Sequence, residues 1–513
     1  MKRLTRPFRD TDEPNVVSAQ AQSRGVVRDT LEATCLPFRL VHQILGSQEA
    51  RQVALMMFLA TVVLWGQIEH EVLYSVDGPS YAVIGKELLQ KPLTEWVILT
   101  SISAPFYEHP HLTPWLLGLS MKMFGVGTTT AIMPIIFIST LTVLLTYGIG
   151  YQLIDHRFGL LAATTLVLTP QFVKGGRNPM LEPALMFFIM LTVYCHIRAS
   201  RSTKQYYTIL MGLALGLAFL AKGPPAALAL AVILVFQGMA LLFPQYFERF
   251  RFHGDGLVRV FWAIVIAVGV VSMVDFWHYV MASHSFFAHY VSHQLQFTIG
   301  ESRGKTTNDL WFYARIFFRY WPWLPFLLLS IPLVIWKKDR VAVPALVLSS
   351  LITFGTFLGF TLMKHKAYWY ISIHYAGSSL MAALTLRYML SEHFVQRHYA
   401  RWCMIVTISI LFLSATFPSL FVRSARPTER FLQKAALELG NKLNEKVIAD
   451  CIPVEAWRGP FLLKFYLGVI KAECNDSNAK FKIIDHRNYA FDHRSYRILF
   501  SQHPFSIVEV IPD

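Results

Sequence analysis

From Thr129 to Tyr151 the chain runs TTAIMPIIFISTLTVLLTYGIGY, a stretch without one charged side chain. A hydrocarbon core roughly 30 Å thick is crossed by about 20 helical residues, so such a stretch suits a bilayer span. Comparable windows recur at about 52–69, 158–173, 180–197, 206–221, 225–243, 258–277, 320–336, 341–363, 368–387 and 402–421. Together they predict an all-α polytopic membrane protein with about 11 transmembrane helices, in the range 11–13. Composition agrees, because 54% hydrophobic against 15% charged residues is too apolar for a soluble chain of 513 residues.

The net charge of +15 raises nucleic acid as a partner. No basic run interleaved with stacking aromatics is present, so nucleic acid is set aside and the lipid bilayer, with its anionic headgroups, is the expected partner. The densest positive segments are the tail before residue 52, Arg198–Lys204, Arg249–Arg259, Lys337–Arg340 and Arg387–Arg401. All fall on one side if the spans alternate, and the excess of Lys and Arg assigns that side to the cytoplasm. The expected organisation is a cytoplasmic basic tail at 1–51, a transmembrane domain at 52–421 and an extracytoplasmic C-terminal domain at 422–513. The tail is too long and polar a lead for a cleaved signal peptide, so it is expected to stay attached. Runs such as KFKIID and YRILF predict a small α/β fold for the last domain. Cys451 and Cys474 are the one plausible disulfide pair, with two free thiols the open alternative.

The outer side then receives most of the chemistry. Residues 70–128 are broken by Pro79, Pro92, Pro105, Pro110 and Pro114 but carry apolar residues at helical spacing, which predicts short helices along the membrane surface. Asp77 lies there in YSVDGPSYAVIGKELL, where Asp before Gly and Pro is also ordinary turn chemistry. Glu182, in GGRNPMLEPALMFF, stands at the mouth of a span, where an acid either serves a site or complements a helix N-terminus. Glu108 sits in FYEHPHLTPW beside His109 and His111. Arg177, Lys222, Lys364 and Lys366 each lie at the outer end of a span. Each alone could snorkel to the interface, but together with Arg303 and Lys305 they read as a phosphate or diphosphate site. His289 and His293, four apart, would share one helical face and could add a metal ligand or simply pack. No Walker loop, GxGxxG, nucleophile elbow or HExxH occurs, so no nucleotide cofactor is expected.

The order Asp77, EHPHLTPWLLGLSMKMFG, GRNPMLEP, GLAFLAKGPPAAL, HQLQF, RYWPW and KHKAYWYISIHYAG resembles the bacterial polyprenyl-phosphate-sugar glycosyltransferases. These are GT-C membrane enzymes related to the protein O-mannosyltransferases and the lipid A aminoarabinose transferase. The resemblance covers roughly residues 50–390 and implies a GT-C fold in a bacterial inner membrane, N-terminus inside, site and C-terminus outside. It further implies inverting transfer of a sugar from a polyprenyl (undecaprenyl) phosphate donor to a hydroxyl or phosphate of a lipid, glycan or protein acceptor. By the same resemblance Asp77 and Glu182 would be catalytic. Tyr81, His109, Arg177, Lys222, Arg303, Lys364 and Lys366 would bind substrate, and Glu108 with His293 would ligate a divalent metal (Zn, Mg or Mn). The sequence departs from the family pattern at Gly78, where a second acid is usual, at Ser80, where arginine is common, at His109, where lysine stands, and at Glu182, where Asp is more usual. A transporter or flippase of lipid-linked sugar, or an inactive homologue marked by Gly78, are the competing readings.

Overall fold

The computed structural model describes residues 47–73, 77–250, 256–299, 309–318, 323–363, 366–390, 427–451, 459–474, 479–486 and 496–511. Two compact units are present, Met1–Leu55 and Met56–Asp513; the first is described only from Ser47 onward.

Helices Gln48–Trp65, Thr128–Leu153, His156–Val167, Glu182–Ser200, Tyr206–Lys222, Ala227–Leu242, Gly256–Ala282, Leu324–Lys337, Val343–Thr361 and His374–Met389 fall on ten of the expected windows. The window at 402–421 lies outside the described residues. Five stretches among the described residues are long and apolar enough to cross a membrane: Thr128–Leu153, Glu182–Ser200, Pro224–Leu242, Gly256–Ala282 and Val343–Thr361. Helices Tyr206–Lys222 and Leu324–Lys337 are apolar but shorter. Large side chains such as Phe137, Met273 and Phe276 stand exposed on these helices, as lipid-facing surface requires. The 158–173 window resolves into two helices, His156–Val167 and Pro170–Gly176. Pro170 disfavours the helical conformation of the residue before it, and Thr169 is extended at ψ 110°.

Several threonines within the spans are satisfied by their own helix. Thr140, Thr142 and Thr146 donate to the carbonyls of Ile136, Ile138 and Thr142 at 2.8–2.9 Å, so no hydroxyl is stranded in an apolar setting. Close helix contacts come from small residues. A Cβ on Gly212 would stand 2.7 Å from the Ala263 carbonyl oxygen, and one on Gly216 would stand 2.9 Å from the Val270 Cβ. This four-residue glycine spacing lets helix Tyr206–Lys222 lie directly on helix Gly256–Ala282.

Between residues 70 and 128 the chain forms two short helices, Gly78–Leu88 and Leu112–Phe124, which pack on each other. A hairpin between them was not expected: β1 (Thr100–Ser101) pairs antiparallel with β2 (Ala104–Pro105). Ile102 and Ser103 close it at φ 52° and 65°. Buried Glu87 holds the turn by accepting the Ser103 amide at 3.1 Å.

The C-terminal segment is the anticipated small α/β unit. Strands β3 (Val447–Cys451), β4 (Ile470–Glu473), β5 (Phe481–Asp485), β6 (Tyr496–Gln502) and β7 (Phe505–Val510) form one sheet in the order β4-β3-β5-β7-β6. Strand β3 is parallel to β4 and β5, whereas β7 is antiparallel to β5 and β6. Helices Pro427–Leu439 and Gly459–Leu467 accompany the sheet. Cys451 and Cys474 are disulfide-bonded, with Cα atoms 4.7 Å apart.

Candidate functional site

The site is built where the ends of several helices meet helix Gly78–Leu88. Glu182 opens helix Glu182–Ser200 and is buried. Lys222 is the last residue of helix Tyr206–Lys222 and is equally buried. Both side chains lie in one place, where the Lys222 ammonium forms an ion pair with Glu182 Oε1. The same ammonium sits over the Tyr370 ring, 4.0 Å from its centroid, so two partners offset its desolvation. Glu182 Oε2 is buried and has no hydrogen-bond partner among the described residues.

Gly223 explains why the lysine can stand there. It ends the helix at φ 75°, and a Cβ at this position would meet the Tyr290 hydroxyl at 2.0 Å. Only glycine allows the chain to turn beneath that tyrosine, leaving Lys222 aimed at Glu182.

Asp77 precedes helix Gly78–Leu88, and its carbonyl accepts the Tyr81 amide at 3.1 Å. The Tyr81 ring meets the His109 ring edge-on, with centroids 5.8 Å apart. Burial holds the Tyr81 phenol well above the usual tyrosine range, and the negative potential of Asp77, then Glu182, Tyr370 and Glu108, adds to it. Tyr81 therefore stays a neutral hydrogen-bond donor among acids. Asp77, Glu182, Tyr370 and Glu108 are thus within electrostatic reach of Tyr81. Lys366 donates to the Met363 carbonyl at 2.6 Å, and the next residue's amide, Ala367, donates to the Tyr313 hydroxyl at 3.3 Å.

Arg177 is buried. Its guanidinium pairs with Glu71 at 2.9 Å and donates to the carbonyls of Val63 and Gly66 at 3.3 and 2.6 Å, which close the end of helix Gln48–Trp65. Arg303 and Lys364 lie outside the described residues, as does Lys305. His289 and His293 share helix Phe286–Ile299 as expected. His289 stacks on Tyr107 with centroids 5.1 Å apart, and Tyr107 is hydrogen-bonded to His284 at 2.8 Å. No three His, Cys, Asp or Glu side chains among the described residues are grouped to hold a metal ion. Glu108 and His293 therefore do not make a complete ligand set there.

His111 is a structural residue. Its Nε2–H donates to the Val97 carbonyl at 2.8 Å, the direction being fixed because a carbonyl only accepts. Burial pushes its imidazole down to about 3, opposed by that hydrogen bond.

Sequence reasoning missed Tyr370, Tyr290, Tyr313 and Glu71. For Tyr370 the signal was the aromatic run AYWYISIHY after Lys366, in which one ring serves as the floor for Lys222. Glu71 carried no local signal, because its partner is 106 positions later in the chain.

Residues 108–277 match the family model described as dolichyl-phosphate-mannose-protein mannosyltransferase. An undecaprenyl phosphate-alpha-4-amino-4-deoxy-L-arabinose arabinosyl transferase of Pectobacterium carotovorum subsp. carotovorum is 27% identical over 266 residues, 50% of this chain and 45% of the relative. The match thus spans about half the length of that relative. Among solved structures, ArnT from Cupriavidus metallidurans bound to undecaprenyl phosphate superposes with TM-score 0.63 at 14% identity, covering 89% of this chain and 97% of that one. The oligosaccharyltransferase of Archaeoglobus fulgidus in complex with Zn and sulfate gives TM-score 0.53 at 11% identity, covering 85% and 68%. The resemblance drawn from motif order is borne out by these similarities, and the fold is like that of the ArnT structure.

Proposed function

We propose that the chain is a membrane glycosyltransferase that moves a sugar from a polyprenyl phosphate to an acceptor hydroxyl or phosphate at the outer face of the inner membrane. The observation that carries this is the buried Lys222 cation, paired with Glu182 over Tyr370, with Glu182 and Asp77 both in electrostatic reach of neutral Tyr81. A buried cation whose counter-charge can be exchanged for a phosphate, next to an acid near the surface, suits a lipid phosphate leaving group.

In this reading Asp77 takes the proton of an acceptor hydroxyl as that oxygen attacks the anomeric carbon from the side opposite the phosphate. The bond from the anomeric carbon to the phosphate oxygen breaks, its electron pair stays on the phosphate, and the configuration inverts. Lys222 and Lys366 stabilise the charge that develops on the polyprenyl phosphate, and Tyr81 donates a hydrogen bond to it. Glu182 Oε2, an acceptor awaiting a donor, receives a sugar hydroxyl. No step passes through a metal, because the donors at hand do not complete a site. The similarity to the arabinosyl transferase, the bound lipid phosphate of the ArnT structure and the charge bias of the loops support this chemistry and sidedness.

The test is transfer by the purified protein from radiolabelled polyprenyl-phosphate sugar to an envelope extract. Labelled acceptor is expected, and Asp77→Asn should lower the rate roughly 10²- to 10⁴-fold without unfolding the protein. Undiminished transfer by Asp77→Asn would remove that residue from the mechanism. Movement of lipid-linked sugar across vesicles with no transfer would replace the enzyme by a transporter.

A further inference from the structure

The C-terminal unit grips the polypeptide on both sides of Asp77. Ahead of it, the Leu73 amide donates to the Tyr466 hydroxyl at 3.1 Å, and Gln433 Nε2 donates to the Glu71 carbonyl at 3.1 Å. The same Tyr466 oxygen accepts from Thr128 Oγ1 at 3.2 Å, which fixes it to the first turn of helix Thr128–Leu153. Burial holds the Tyr466 phenol up at about 12, so it remains a neutral hydroxyl at any ordinary pH.

Beyond Asp77, the grip is electrostatic. Lys86, in the last turn of helix Gly78–Leu88, donates to the carbonyls of Lys464 and Phe465 at 3.2 and 2.8 Å. Those carbonyls belong to the final turn of helix Gly459–Leu467, where partial negative charge collects and a cation is favoured. Gly468 ends that helix at φ 70°, its amide donating to the Lys464 carbonyl at 3.2 Å. A Cβ there would meet Asn444 Oδ1 at 2.1 Å, so the geometry that presents the carbonyls to Lys86 depends on glycine.

We propose that the C-terminal domain is a positioning clamp for the reacting end of helix Gly78–Leu88: Tyr466 holds Leu73 and Lys86 anchors the helix, and with it Tyr81 and the adjoining Asp77, in register with the Lys222–Glu182 pair. Neither residue touches the reacting atoms. Helix Gly78–Leu88 is about 16 Å long, so fixing its far end at Lys86 fixes the direction of the end that carries Asp77. This assigns the small domain a role in catalysis rather than in binding either substrate, and it rests on the reading of Asp77 as the acceptor-facing acid.

Two readouts test it, one of them independent of activity. In Lys86→Met and Tyr466→Phe, kcat should fall roughly 10- to 100-fold with KM for the polyprenyl-phosphate sugar unchanged, and Lys86→Arg should restore kcat. Amide hydrogen exchange of residues 78–88 should quicken at least tenfold in both variants while that of helix Thr128–Leu153 stays the same. Unchanged exchange together with unchanged kcat in folded variants overturns the clamp, as does a rise in KM with kcat intact. If Lys86→Met does not fold, Tyr466→Phe, which keeps the ring, decides the matter alone. Should Asp77→Asn prove active, the role of Asp77 is lost, and the exchange measurement still supports or overturns the clamp.

Discussion

Lys222 and Glu182, 40 positions apart in the sequence, neutralise each other in a buried setting at the outer ends of two adjacent helices. Truncating either one strands a buried charge, which costs about 3–5 kcal/mol, whereas replacing both by apolar residues of like size is close to neutral. Lys222→Met and Glu182→Met should each lower the melting temperature sharply, and the double variant should recover most of it. Activity should not recover in the double variant, because the phosphate loses its cation. Thermal unfolding in detergent, read beside the transfer assay, checks both parts.

Arg177 offers a contrast, since Glu71 and the carbonyls of Val63 and Gly66 are framework groups. Arg177→Met should cost about 3–5 kcal/mol through the buried Glu71 carboxylate it abandons. The folded fraction should bind polyprenyl phosphate with unchanged Kd, as measured by titration of the lipid. A tenfold weaker Kd in the folded protein would return Arg177 to the donor site.

His111 makes the fold around helix Leu112–Phe124 sensitive to acid. Its folded value of about 3 lies below the ordinary histidine value near 6.5, so the unfolded chain binds the proton more readily. Stability is therefore fully present above about pH 6.5 and falls as pH drops toward 3, at up to about 1.4 kcal/mol per pH unit. Comparing melting temperatures at pH 7.5 and 5 should show a drop in the parent protein and a smaller one in His111→Gln. Equal slopes would assign the acid sensitivity to other groups.

The Cys451–Cys474 bond reports on sidedness. In intact cells both thiols should resist maleimide until a reductant is added, as expected for an oxidising compartment. Closing a loop of this length contributes about 3 kcal/mol, so reduction should lower the unfolding midpoint of the C-terminal unit. Labelling without reductant would place the segment in the cytoplasm and turn the proposed topology over.

The helical windows were legible because apolar runs of bilayer length have few other uses, and the cores of ten of them are helices. Their ends were less so: Pro170 splits one window, and the last begins as a tight 3-10 turn at Tyr370–Ile373. The acids and Lys222 were legible as charges in apolar surroundings. What pairs with what was not, since Arg177 and Lys222 look alike in sequence, each a cation at the outer end of a span. One meets Glu71 and two helix-end carbonyls; the other meets Glu182 and an aromatic face. The hairpin at Thr100–Pro105 was hidden because Ile102 and Ser103 are unusual residues for a left-handed turn.

The guanidinium that closes helix Gln48–Trp65 comes from a residue 111 positions after the carbonyl it meets at Gly66. At roughly 5–20 residues per second of synthesis, helix Gln48–Trp65 waits about 5–20 s for the group that completes its C-terminal end. The order of translation thus delays the finishing of helix Gln48–Trp65 until Arg177 has been made.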